Sequence, residues 1–308
     1  VLTPTRELAL QVCKEIESLA TGRFPRLTSV YGGQSMSEQL RALKRGTEIV
    51  VGTPGRVKDH LDRGSLKLEN ISQSYVVNSG VKDVLHDVSF DVYHNEFLVI
   101  LGPGHCGKSV LLRIVAGLEK PVSGSVYLEG KKLSESDKRI GMVFQELALM
   151  PWRTVMGNVE FGLQIAGIDK KTRHEISQKY IDLVKLTGFE KAYPNQLSGG
   201  MKQRVGIARA YASNPEILLM DEPFGQLDAQ TRYFMEEEIQ RIWQQERKTI
   251  IFVTNNIEEA VYLGDRIILF SSCPATVKEI YEIDLSRPRN VTDPEFLRIR
   301  REVSENTD

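Results

Sequence analysis

The sequence predicts an α/β fold around a buried parallel sheet, and three observations carry that reading. Phe97-Leu98-Val99-Ile100-Leu101 is a continuous apolar run, typical of a strand covered on both faces. It leads directly into the glycine-rich stretch Gly102-Pro103-Gly104-His105-Cys106-Gly107-Lys108-Ser109 and then into a helical pattern over 110–118. A second apolar run, Ile217-Leu218-Leu219-Met220, ends in the acid pair Asp221-Glu222. Ahead of both, residues 1–68 alternate strand-like and helix-like segments, which favours parallel pairing.

Taken in order, Val1-Leu2 are expected to end a buried strand. Residues 6–20 space Leu8, Val12, Ile16 and Leu19 at helical intervals and stop at Thr21-Gly22. A short strand over 27–31 closes at Gly32-Gly33, a helix over 37–44 stops at Gly46, and a strand covers 48–51. Gly52-Thr53-Pro54-Gly55-Arg56 is expected to turn into a short helix over 57–61. Residues 66–77 and 84–92 alternate in strand fashion, an antiparallel lead-in to the buried strand at Phe97. Ser198 is a natural N-cap for a helix that opens at Gly199-Gly200 and runs through Ala208-Arg209-Ala210. Two domains are expected, 1–68 and 69–308.

Composition narrows the class. The 308 residues carry a net charge of −1, which argues against a chain built to coat nucleic acid. The charge is uneven, with 11 basic and 7 acidic side chains over residues 1–68 and 29 against 34 over the rest. That asymmetry suggests two unlike pieces joined. Cys13, Cys106 and Cys273 are odd in number and far apart, so a reducing compartment is expected, without a disulfide framework. No apolar run approaches the length of a membrane span, and no signal-peptide pattern is visible. The chain opens on Val1 rather than Met, so a preceding segment is expected.

The glycine-rich stretch has the spacing G-x-x-x-x-G-K-S between a strand and a helix, where backbone amides and a positive helix end face phosphate. Lys108 suits the terminal phosphates and the Ser109 hydroxyl suits Mg²⁺. Asp221 sits where a water-linked Mg²⁺ needs a carboxylate, and Glu222 where a base polarises attacking water. An ion-pair network is the ordinary alternative for such an acid pair. Ser198 with Gly199-Gly200 offers a second anion-binding helix end, for which a plain capped helix is the alternative. One nucleotide seldom needs two such surfaces from one subunit, so the second is expected to serve the nucleotide of another copy.

In sequence order, Tyr75, the 102–109 loop, Gln145, Leu197-Ser198-Gly199-Gly200-Met201-Lys202-Gln203, Asp221-Glu222, Leu227-Asp228 and Thr254-Asn255 resemble the nucleotide-binding subunit of ABC transporters. The resemblance covers roughly residues 66–308. It implies a P-loop NTPase with a RecA-like core, an antiparallel β lead-in and a helical signature subdomain, using ATP and Mg²⁺. It implies that Gly102, Gly104, Cys106, Gly107, Lys108, Ser109 and Val110 surround the phosphates and that Tyr75 stacks on adenine, a half-buried strand aromatic being its alternative. Ser109, Gln145 and Asp221 would hold the metal, and Glu222, Gln145 and Asn255 would carry hydrolysis. Ser198, Gly199 and Gly200 of a second copy would close each site in a head-to-tail dimer linked by Asp228. Transmembrane permease subunits and, through them, a periplasmic or lipoprotein solute-binding protein would be partners. The location implied is the cytoplasmic face of the membrane.

Leu149-Met150-Pro151-Trp152-Arg153-Thr154-Val155, Asn158-Val159 and the tail Arg287-Pro288-Arg289 resemble the nitrate, sulfonate and taurine import group. There a Pro-Trp segment lies near the permease, while core packing is the alternative role for Trp152. Three departures stand out. Asn255 replaces a histidine, which is expected to slow turnover without abolishing it. His105 replaces a glycine, and a positive φ there would strain it, although an unaffected loop with His105 facing solvent is the favoured reading. Val110 replaces a second hydroxyl.

Pro4-Thr5-Arg6-Glu7-Leu8-Ala9, Gly32-Gly33 and Thr53-Pro54-Gly55-Arg56 resemble RNA-backbone-contacting motifs from the first RecA-like domain of DEAD-box helicases. The helicase phosphate loop and acidic motif are missing from residues 1–68, so a partial segment without its own ATP site is expected. Nucleic acid is not an expected partner. An RNA-binding or helicase-related ATPase that uses this segment is the alternative function, and a non-transport ABC ATPase is a third.

Overall fold

The structure, a computed structural model, describes residues 1–19, 26–32, 39, 42–43, 47–61, 64–77, 80–145, 148–225, 227–246 and 248–307. The chain divides into two compact units, Val1–Arg63 and Gly64–Asp308.

In the first unit, helix α1 (Arg6–Leu19) is followed by strands β1 (Leu27–Val30) and β2 (Ile49–Gly52) and helix α2 (Pro54–Leu61). β1 and β2 pair in parallel, from Leu27↔Ile49 to Val30↔Gly52. The α1 residues Ala9 and Cys13 pack with Tyr31 and Val51 in a small core. A Cβ at Gly52 would lie 2.3 Å from Val30 O, so the close approach of the strands needs glycine there.

Two expectations for this unit are corrected. Leu2 makes an isolated bridge to Gly52 but is 62% exposed, because one strand edge cannot cover both its faces; it is not a buried strand end. The short helix starts at Pro54 rather than Val57. Proline suits a first helical turn, since its missing N–H would have had no helical partner. The expected stops at Thr21-Gly22 and Gly46, the residue Gly33 and most of the helix expected over 37–44 lie outside the described residues.

The second unit opens with the long hairpin β3 (Gly64–Val77) and β4 (Gly80–Tyr93), then β5 (Phe97–Leu101), α3 (Lys108–Val115), β6 (Ser123–Leu128), β7 (Lys131–Lys132) and β8 (Ile140–Val143). The helical portion follows, with α4 (Val155–Val159), α5 (Phe161–Ile165), α6 (Lys170–Leu183) and α7 (Gly199–Ala212). The chain returns through β9 (Ile217–Asp221), α8 (Ala229–Glu246), β10 (Thr249–Thr254), α9 (Ile257–Leu263), β11 (Arg266–Phe270), β12 (Val277–Glu282) and α10 (Pro294–Glu305).

Among the described residues the strands of this unit form two sheets. One is ordered β12-β11-β5-β10-β9-β8 and is parallel except for β12. The other is antiparallel, ordered β4-β3-β6-β7. Strand alternation splits the apolar runs between two cores. Phe97, Val99 and Leu101 join Leu218, Met220, Ile250 and Phe252 on the side of α4–α9. Leu98 and Ile100 join Leu219, Ile251 and Val253 on the side of α3 and the antiparallel sheet. The run at Phe97 is continuous because both faces are buried. These features are those of the expected P-loop NTPase α/β fold.

A candidate nucleotide site at one edge of the sheet

Parallel register places the site residues. Leu101 pairs with Thr254, Val253 with Asp221, and Met220 with Val143. Gly102, Asn255, Glu222 and Gln145 therefore leave four neighbouring strands at the same edge, the carboxyl end where open α/β sheets bind ligands.

The 102–109 loop is shaped by close packing. Gly107 has φ 116 as N-cap of α3, and a Cβ there would lie 2.9 Å from Val84 Cγ1. Both facts require glycine. Lys108 is buried, and its ammonium donates to Gly102 O and Pro103 O, each at 2.8 Å. It also lies 3.8 Å from Glu222 Oε1. The lysine is thus folded onto its own loop, with a carboxylate close by. Cys106 and Val110 are buried in the core beneath the loop, and burial pushes the Cys106 thiol pKa up.

His105 is exposed with φ 61. The substitution of histidine for glycine therefore does meet a left-handed backbone, a conformation that histidine enters more readily than most side chains. The positive φ expected to strain this position is therefore present, against the favoured reading, although the residue is exposed as that reading expected.

Ser109 Oγ donates to Asp221 Oδ1 at 2.9 Å. Asp221 is 5% exposed. Burial raises its pKa, the nearby Glu222 charge adds to that, and the Ser109 hydrogen bond opposes it. Glu222 follows with φ 43, a turn out of the strand, and its amide donates to Val253 O at 3.0 Å. Gln145 Nε2 donates to Glu222 Oε2 at 3.2 Å. Lys108, Ser109, Gln145, Asp221 and Glu222 thus form one connected group.

Beside them, Asn255 is exposed at the end of β10. Asn256 caps α9, accepting from Glu258 N at 2.9 Å. Thr254 Oγ1 donates to buried Glu259 at 2.6 Å. Glu259 was missed in the sequence, although Asn256 followed three residues later by Glu259 is a readable capping-box signature.

Among the described residues the remaining candidates make no hydrogen bond or ion pair with that connected group. Ser198 caps α7 by accepting from Met201 N at 3.2 Å. Among the described residues no hydrogen bond or ion pair joins Ser198, Gly199 or Gly200 to the 102–109 loop. Asp228 accepts from Thr231 N and Oγ1 at 3.0 and 2.7 Å, contacts that hold its carboxyl below its usual pKa. Tyr75 is half-buried and its hydroxyl donates to Glu119, which also accepts from Gln73 Nε2 at 2.8 Å. Trp152 is 74% exposed, so the core-packing reading of it is set aside.

No group of three or more His, Cys, Asp or Glu side chains able to hold a metal is found among the described residues. The donor set here is instead one hydroxyl and one buried carboxylate. It suits a hard divalent cation whose other ligands are phosphate and water oxygens.

Comparison with known proteins matches two family models, the second of which runs past the end of the first unit at Arg63. A family model described as ABC transporter matches residues 85–225, and one described as DEAD/DEAH box helicase matches residues 1–79. The uncharacterised ABC transporter ATP-binding protein MJ0412 of Methanocaldococcus jannaschii is 51% identical over 238 residues, which is 77% of this chain and 89% of that protein. The aliphatic sulfonates import ATP-binding protein SsuB of Bacillus thuringiensis subsp. konkukian is 40% identical over 239 residues, 78% of this chain and 94% of its own. Among solved structures, the dimeric structure of MJ0796, a bacterial ABC transporter cassette, has a TM-score of 0.65 and 33% identity, covering 72% of this chain and all of that one. Its post-hydrolysis state bound to ADP and Pi gives 0.65 and 32% over the same share of each chain. With that much sequence shared along most of a curated relative, and a cassette fold carrying the connected group around Lys108, the chain belongs to the ABC transporter ATP-binding family and is an ATPase.

Proposed function

We propose that this ATP-binding subunit energises import of a small sulfonate-type anion. The observation that carries the reading is the connected group of Lys108, Ser109, Gln145, Asp221 and Glu222 at one sheet edge, within a chain 40% identical to a sulfonate import ATP-binding protein.

The residues would work as follows. Lys108 exchanges the carbonyls of Gly102 and Pro103 for the terminal phosphates, guided by the loop amides and the start of α3. Ser109 and Asp221 would hold Mg²⁺, with Gln145 beside them, and the ion would supply charge neutralisation at the phosphates. Glu222 accepts a proton from the attacking water while Gln145 and Asn255 orient it. Tyr75 is assigned to the adenine face, which requires it to be reached beside its hydrogen bond to Glu119. Ser198, Gly199 and Gly200 are assigned to the nucleotide of a second copy, with Asp228 at the dimer seam. That no hydrogen bond or ion pair among the described residues joins them to the 102–109 loop of their own chain supports that assignment, as does the dimeric state of MJ0796.

No helix among the described residues is long and apolar enough to cross a membrane, so transport needs permease subunits. Exposed Trp152 is assigned to that contact, at the cytoplasmic face. A solute-binding protein on the far side completes the proposed importer. Residues 1–68 are assigned as a partial helicase-like segment with no nucleotide chemistry, in front of an ATPase domain over 69–308. Arg6 there lies over the Tyr31 ring at 5.0 Å and Arg56 Nε donates to Gln39 at 3.1 Å. Two of the side chains expected to grip RNA phosphates thus have contacts inside their own unit.

The test is uptake by proteoliposomes holding this chain, a permease of the sulfonate import type and its solute-binding protein. ATP-dependent accumulation of alkanesulfonates is expected, with RNA leaving the ATPase rate unchanged. Brisk ATP hydrolysis without uptake of any sulfonate, or a rate that rises on adding RNA, would overturn the assignment.

A further inference from the structure

The tail after β12 makes an unusually dense set of contacts with one short helix. Arg289 is buried, yet among the described residues it makes no hydrogen bond to a carboxylate. Its guanidinium donates instead to backbone carbonyls, with Nη1 reaching Val261 O at 2.7 Å, Tyr262 O at 3.1 Å and Gly264 O at 2.6 Å. Nη2 reaches Ile283 O at 3.3 Å and Nε reaches Leu285 O at 3.4 Å. Arg287 donates to Leu263 O and pairs with Asp265, and it lies 4.5 Å over the Trp243 ring.

The acceptors Val261, Tyr262 and Leu263 end α9 (Ile257–Leu263). The last four carbonyls of a helix have no partner inside it and carry its negative end. Here Ala260 O is taken by Gly264 N at 3.0 Å, and the other three accept from the two arginines, with Gln240 Nε2 of α8 also donating to Tyr262 O at 3.2 Å. Asp265, which Arg287 pairs with, accepts from Phe97 N at 2.9 Å, at the start of the strand that feeds the phosphate loop. Trp243 belongs to α8, the helix that follows Asp228. The tail therefore fixes the far end of α9 to both neighbours of the nucleotide edge.

The near end of α9 is Asn256, and Asn255 precedes it. Seven residues of helix form a rod of roughly 10 Å. A shift of the rod along its axis reappears undiminished at its other end, because the rod's own hydrogen bonds do not stretch. We propose that Arg287 and Arg289 are positioning residues for hydrolysis, clamping the carbonyl end of α9 so that Asn255 is held at working distance from the terminal phosphate. The proposal rests on the assignment of Asn255 to that phosphate.

The test is a kinetic cycle on the full chain with Mg-ATP, using Arg289→Met, Asn255→Ala and the double variant. Arg289→Met is expected to lower kcat about tenfold while the KM for ATP stays within roughly twofold, since Lys108 binding does not pass through α9. In the Asn255→Ala background the same change is expected to have little further effect, because the residue it positions is gone. Arg289→Lys, which keeps the charge and some of the donors, should recover part of kcat. If Arg289→Met does not fold, Arg287→Gln in the same cycle reads the same clamp, with the same expectations. Additive losses, or kcat and ATP affinity falling together with thermal stability, would show a merely structural arginine and overturn the proposal. If Asn255→Ala alone leaves kcat unchanged, the Asn255 assignment fails and the clamp falls with it, while the sulfonate uptake test is untouched.

Discussion

The hydroxyl of Ser109 and the carboxylate of Asp221, 112 residues apart in sequence, meet at 2.9 Å across the edge of the sheet. Asp221 is buried and desolvation raises its pKa above 3.8, with Ser109 as its hydrogen-bond partner. A carboxyl with a raised folded pKa favours the folded state most when protonated. Its contribution is present below 3.8 and lost as pH rises through the raised value. In an empty site the charged form of Asp221 is therefore the costly one, a cost that a divalent cation would offset. Asp221→Asn is expected to raise the melting temperature of the nucleotide-free protein and to lower Mg-dependent ATPase about a hundredfold or more. Calorimetry without nucleotide and a phosphate-release assay check the two halves, and a less stable variant would refute the first.

Glu222 lies within reach of both Gln145 and Lys108, which fits a base poised beside phosphate. Glu222→Gln keeps the shape and the Gln145 contact but cannot accept a proton. Hydrolysis is expected to fall by roughly 10²–10⁴, the usual worth of a general base, while ATP affinity is retained. ATP should then trap a dimer visible by light scattering. A variant that binds ATP tightly yet stays monomeric at saturating nucleotide argues against closure by a second copy's Ser198.

Much of this site was legible because its chemistry is carried by backbone geometry. The run from Phe97 to Ser109 announces strand, loop and helix in order, and the apolar run into Asp221 announces the neighbouring strand. Long-range pairing was less visible. Nothing local tells that Tyr75 ends on Glu119 or that Arg289 ends on the carbonyls of α9, because both are contacts between segments distant in sequence. The left-handed turn at His105 was foreseeable only as a conditional, since φ depends on how the loop closes against Val84. In the first unit the helix start at Pro54 was missed because glycine and proline together read as a turn, although proline at a first helical turn is favourable.

Glu236 gives the molecule a pH dependence that no motif announces. Burial in α8 pushes its pKa from 4.5 up to about 8, the charge of Glu259 across on α9 adds to that, and Glu258 and Glu237 contribute while Arg232 opposes. Because the folded pKa is raised, the stabilising contribution is full below about 4.5 and is lost as pH rises through about 8. One proton changes stability by at most about 1.4 kcal/mol per pH unit in that window. Urea denaturation between pH 6 and pH 9 should show wild-type stability falling with pH, and Glu236→Gln should flatten the fall. Equal slopes for the two proteins would mean that Glu236 is not the group that titrates.

Trp152 separates packing from partnership. It is 74% exposed in the segment before α4, while its neighbour Arg153 is occupied, lying 4.8 Å over the Phe161 ring and donating to Gln164 at 3.0 Å. A tryptophan in the core would lose about 3–5 kcal/mol on truncation to alanine, whereas a surface change stays within about 0.5 kcal/mol. Trp152→Ala is therefore expected to leave the denaturation midpoint of the isolated chain nearly unchanged. At an interface, a large aromatic can carry 2 kcal/mol or more, or roughly thirtyfold in affinity. The variant should accordingly lose co-purification with its permease and the stimulation of ATPase that follows from it. A large drop in stability with permease binding intact would return Trp152 to the core and leave the membrane contact to other residues of the 149–154 segment.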